Sequence, residues 1–245
     1  MNRAAWRLVF LLTAMLSLTA CVSAPPRQTF NREAYGDVKS IVVLPMRDSK
    51  PGVMMMNHPG AQFGLIGALV AAANMAGKDD KLTDQLSKAG FDENQILRQA
   101  LGSALERRGY AVSWPADLVD KAANKTAREN TGLRKSYSPN SEGQAQLDIN
   151  FGFLGYAAAG ASDKQPYRPT VMITTRLVGA DGKTFLFRDS FAYHNVFNQN
   201  YAIVVEPDPQ YSYPDFDDLD AADDASAQGL KLAIEALADK IAAQL

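Results

Sequence analysis

One cysteine, two histidines and no surplus of positive charge are the scarcities of this 245-residue chain. Each removes a class of function. A single thiol, Cys21, allows no intramolecular disulfide, so stability must come from the packed core. His58 and His194 each lack a second His or Cys at metal-ligand spacing. His58 falls in a Pro/Gly loop and His194 at a strand end, and both read as solvated or hydrogen-bonded side chains. A formal net charge of −2 offers no basic patch for nucleic acid. There is no G-x-S-x-G elbow and no glycine-rich phosphate loop. No internal repeat is found. The sequence therefore assigns no catalytic residue, no metal ligand and no cofactor, and it predicts a protein that is not an enzyme.

What is present begins at the N-terminus. Arg3 and Arg7 precede an uncharged, mostly apolar run from Leu8 to Leu18. Eleven residues are too few for a bilayer core, which needs roughly 20. A charged start, a short apolar run and small residues before a break describe a secretory signal peptide over residues 1–20. The break, Leu18-Thr19-Ala20-Cys21, resembles the lipobox of bacterial lipoproteins. That resemblance implies cleavage between Ala20 and Cys21. It also implies attachment of diacylglycerol to the Cys21 thiol and N-acylation, with palmitate among the acyl groups. Val22, not Asp, at the next position implies sorting to the outer membrane, facing the periplasm. Several acyl chains anchor stably where one is marginal. Loss of Arg3 and Arg7 takes the side-chain charge from −2 to −4.

Residues 21–37 (CVSAPPRQTFNREAYGD) are polar with paired prolines and read as the lipidated N-terminus and a flexible tether. Extended, residues 22–37 reach roughly 50 Å at about 3.3 Å per residue. One domain is expected over 38–245. Ser40–Pro45 (SIVVLP) reads as a buried strand. Residues 46–60 look like a loop. Ala61–Gly77 carries no charge and opens a small-residue insertion spanning 51–90. Gly64, Ala68 and Ala72 recur at intervals of four, which on a helix lets another backbone approach closely. Burial or self-association through these residues is favoured over membrane spanning.

Asp92 is an N-cap for a helix over Glu93–Arg108, with Phe91 and Ile96 at the hydrophobic-staple positions. Tyr110–Trp114 then reads as a strand, and Pro115 as the first turn of a helix ending near Glu129. Leu147–Tyr156 alternates as a half-buried strand, followed by Thr170–Val178, an Asp181-Gly182 turn and a returning strand. Phe185, Phe187, Phe191 and Tyr193 are predicted to share one face of that strand. Residues 206–224 hold eight carboxylates and no Lys or Arg. They read as a solvated loop and helix cap, with Ca²⁺ binding as the sharper alternative. Tyr211, Tyr213 and Phe216 are interleaved there and are predicted to form a partner-contact surface. An amphipathic helix from about Ala221 closes the chain.

The order of elements predicts an α/β fold, a mixed β-sheet packed with helices. SIVVLP, a helix ending LERRGY, the GADGKTFLF hairpin and the closing helix resemble periplasmic lipoproteins of the CsgG, LpoB and TolB N-terminal-domain type. The resemblance implies an anticodon-binding-domain-like sandwich and an assembly, scaffolding or regulatory role. Its partners would be the membrane, through acylated Cys21, and envelope proteins or further copies of the chain. An outer-membrane secretion or export pore is the alternative. However, paired alternating hairpins flanked by aromatics are missing from the sequence. A carboxylate-dependent metal enzyme is the remaining alternative.

Overall fold

The computed structural model describes residues 27–57, 64–122, 125–160, 165–194, 196 and 202–245, with backbone alone for 57 and 64–74. Cys21 and His58 lie outside these residues. Among the described residues seven strands form one mixed sheet: β1 (Ser40–Val43), β2 (Gly52–Asn57), β3 (Ala111–Ser113), β4 (Ala145–Gly160), β5 (Arg168–Val178), β6 (Phe185–Tyr193) and β7 (Ile203–Val205). Among the described residues four α-helices accompany it: α1 (Gly64–Lys88), α2 (Glu93–Glu106), α3 (Phe216–Asp220) and α4 (Asp224–Gln244). The protein has the α/β fold that the sequence predicts.

The strand order is β3-β1-β4-β5-β6-β7, with β2 also on β4. β4 is long enough to take two parallel partners end to end. β1 pairs with its first residues and β2 with Gly155–Gly160. β4, β5 and β6 are antiparallel neighbours, and β7 runs parallel to β6. One sheet face carries Leu147, Ile149, Ile173, Phe187 and Phe191. These are buried in a common core with Leu97, Leu101 and Leu105 of α2 and Leu230, Ile234, Leu237 and Ile241 of α4. That periodicity of three and four is the apolar stripe of each helix.

α2 starts where its cap dictates. Asp92 accepts hydrogen bonds from the Asn94 and Gln95 N–H groups, both at 3.0 Å, and Phe91 and Ile96 pack against the core. Gly109 follows the helix at φ +87°, a conformation that suits glycine. Asp92→Ala leaves those two amides without their acceptor. It is expected to lower stability by about 1 kcal/mol, as read by urea denaturation.

Four expectations need correction. Residues 52–57 are a strand, because Gly52–Asn57 completes the ladder on the far half of β4. Val53 of this strand lies in the core, as do Leu82 and Leu86 further along the chain. The described residues of the predicted helix, 115–122 and 125–129, are irregular chain with no helix among them. Asp120 competes locally by accepting from the Ala122 N–H and the Thr126 hydroxyl. β4 is buried on both faces, because that irregular segment covers the second one. Finally, Phe185 leaves the face of Phe187. A register shift between Leu177 and Val178 pairs Val178 with Phe185 and puts its ring on the second face, beneath the Arg176 guanidinium at 4.5 Å.

Candidate functional site

The first described residues, from Arg27 to Phe30, are docked onto the domain. Gln28 pairs antiparallel with Arg188 on the free edge of β6, through N–H···O bonds of 2.8 and 2.9 Å. The Gln28 amide also donates to the Phe185 carbonyl. The Arg27 guanidinium bonds the Asp189 carboxylate at 2.7 Å. Asp189 is buried, and Arg27 is its ion-pair partner. Phe30 is buried in the core and its ring lies 6.2 Å from that of Tyr35. The expected tether over 22–37 is thus corrected for residues 27–37, which are held by a strand bridge, a buried carboxylate and an aromatic anchor. Sequence reasoning missed this because Arg27, Gln28 and Phe30 are separated by polar residues and follow a proline pair. Phe30 was the available signal: it is a large aromatic alone in a polar stretch.

The second sheet face holds the densest polar constellation. Asp148, Arg176 and Arg188 stand side by side across β4, β5 and β6. The irregular segment folds over them. Glu129 bridges Arg176 at 2.8 Å and Arg188 at 2.9 Å. Asp120 pairs with Arg128 at 3.0 Å and Arg134 at 3.2 Å. Asp148 accepts from the Arg134 N–H at 2.7 Å and the Tyr137 O–H at 2.8 Å. Arg176 also donates to the Arg134 carbonyl and the Tyr137 oxygen.

Burial pushes the Asp148 carboxyl above its usual range. Burial also pushes Glu129 up, but the two guanidiniums outweigh it and hold its carboxyl below the glutamate range. Burial raises the Tyr137 phenol as well. Both Asp148 hydrogen bonds go to Oδ2, and Oδ1 is buried with the Arg134 Nε 3.9 Å away. The constellation fastens Asp120, Glu129, Arg134 and Tyr137 around the second face of the sheet.

The acidic stretch does not converge. Asp208 caps a 3-10 turn at Pro209–Tyr211 and Asp215 caps α3. Asp220 pairs with Lys81 of α1 at 2.6 Å. Among the described residues no three His, Cys, Asp or Glu side chains gather where they could hold a metal ion.

Tyr211 and Phe216 are 8% and 9% exposed, and Tyr213 packs against the core. The predicted partner surface of Tyr211, Tyr213 and Phe216 is therefore an internal one. Tyr213 and Tyr167 exchange backbone hydrogen bonds of 2.8 and 2.9 Å. The Lys78 ammonium lies 4.9 Å from the centre of the Phe216 ring. The tyrosines close the sheet against α4. The Tyr156 hydroxyl donates to the Ser226 carbonyl, and a Cβ at Gly229 would meet that hydroxyl at 2.6 Å. His194 is buried, which lowers its pKa.

Gly64, Ala68 and Ala72 lie in α1, as the spacing predicts. Their side chains fall outside the description. The C-terminal half of α1 is tied down by Leu82, Leu86, Lys78 and Lys81. Among the described residues no helix is long and apolar enough to cross a membrane.

No family model matches the chain, and no curated protein does. Among solved structures, a neuraminyllactose-binding hemagglutinin homologue from Helicobacter pylori aligns over 91% of this chain and 97% of its own, at 10% identity and a TM-score of 0.16. A likeness at that level carries no argument about fold or function.

Proposed function

We propose that this chain is a lipid-anchored protein of the outer membrane, facing the periplasm. It acts without catalysis, by holding or regulating protein partners. The observation that carries the reading is the lipobox, Leu18 to Cys21, followed after five residues by a strap that locks into the domain. Lipidation consumes the only thiol. The buried acids and arginines are engaged in fastening the chain to itself. These uses leave contact with other proteins as the task for the domain's surface.

Metabolic labelling with radioactive palmitate tests the anchor. Wild type is expected to take up label and to fractionate with the membrane. Cys21→Ser is expected to lose both, and label retained by that variant contradicts the reading. Crosslinking in cells tests the partner role. A species that is strictly monomeric, with no crosslinked protein, counts against it.

A further inference from the structure

We infer that the β6–β7 edge of the sheet is the surface this protein turns toward the phospholipid bilayer. The inference rests on acylation of Cys21. Five residues, Val22 to Pro26, separate that cysteine from Arg27. Fully extended, the path from Cys21 to Arg27 covers about 20 Å. Arg27 is fixed at β6 by its bond to Asp189, and Gln28 by its bridge to Arg188. The lipid therefore sits within about 20 Å of the middle of this edge, less than half the reach of a free tether over 22–37.

Two exposed apolar side chains flank the point where the strap leaves the domain. Phe185 is 42% exposed and lies three residues before Arg188 on β6. Val204 is 44% exposed on β7, opposite Ala192. Together with the half-exposed guanidinium of Arg27, they offer apolar and cationic groups at the depth of lipid headgroups. The remaining exposed large apolar residues among those described, Met54 and Met56, lie on β2 at the opposite edge. Four strand spacings and the offset along the strands put Met56 roughly 28 Å from Val204. The short strap thus selects one edge for the bilayer and turns β2 away from it.

Quenching of a single probe by lipid measures this directly, because an acylated Cys21 leaves an introduced cysteine as the only free thiol. Full-length lipidated protein carrying Val204→Cys or Met56→Cys is labelled with bimane. It is then reconstituted in phosphatidylethanolamine–phosphatidylglycerol vesicles with headgroup-nitroxide lipid. Both positions are exposed, so both variants retain the core. Quenching at position 204 is expected to exceed that at position 56 by about twofold or more, given their separation of roughly 28 Å.

Inserting a long Gly/Ser linker between Pro26 and Arg27 lengthens the leash and is expected to erase the difference. Without the linker, equal quenching at the two positions, or stronger quenching at 56, overturns the inference. The mass of the N-terminal peptide, taken on the same sample, separates the two claims. An unacylated Cys21 defeats the anchor itself, whereas an acylated Cys21 without contrast defeats only the orientation.

Discussion

Gly155→Ala is expected to destabilise the protein by about 3 kcal/mol, through backbone collision together with conformational strain. Gly155 stands on β4 opposite Gly52, the first residue of β2. Its φ is +148°, and a Cβ there would lie 1.8 Å from the Gly52 carbonyl oxygen. Neither obstacle is a flexible side chain, so the relief must come from moving β2. The Asp79 carboxylate holds β2 from its other side by accepting the Val53 N–H at 2.6 Å. A shift of β2 therefore disturbs α1 as well. For a chain of this size the melting temperature should fall by roughly 10 °C. Hydrogen exchange should show the loss of protection concentrated in β2 and α1. An unchanged melting temperature, with β2 amides as protected as in wild type, contradicts the close approach of the two backbones.

Arg176→Met is expected to cost about 3 kcal/mol, the scale of removing one partner from a buried ion pair. Arg176 is 1% exposed and holds Glu129, the Arg134 carbonyl and Tyr137 together. Without it the Glu129 carboxylate keeps Arg188 and the Thr131 hydroxyl, and the segment loses its central fastening. Glu129 has its folded pKa lowered. Its stabilising contribution is present above the unfolded glutamate value and is lost as pH falls through the folded one. The variant should therefore lose less stability on acidification than wild type. Arg107→Met provides the comparison. Its pair with Asp239 is 64% and 66% exposed and should cost under about 1 kcal/mol. If both substitutions prove equally mild in urea denaturation, the buried network is not what secures the segment.

Elements with a strong local code were legible in the sequence. α2 followed from Asp92, the staple pair and its apolar stripe. The β5–β6 hairpin followed from Asp181-Gly182, whose carboxylate accepts the Lys183 and Thr184 N–H groups. Features that depend on distant partners were not legible. The strand at 52–57 exists because β4 extends to Gly160. The segment 116–137 looks like helix and loop in one dimension, yet it is shaped by arginines on β5 and β6 more than forty residues away. Tyr211 and Phe216 carry the composition of an interface, but tertiary packing turned that apolar area inward. The docked strap has the same origin, since Arg27 meets Asp189 across 162 residues.

That strap makes the anchor the decisive point of the account. Trypsin can cut after Arg27, so the proposed cleavage before Cys21 would yield the peptide Cys21–Arg27. Mass spectrometry of that peptide from the membrane fraction tests the account most directly. A peptide that begins at Cys21 and carries diacylglycerol and a further acyl chain is the predicted result. A chain that begins elsewhere, or an unmodified Cys21 thiol, would contradict it.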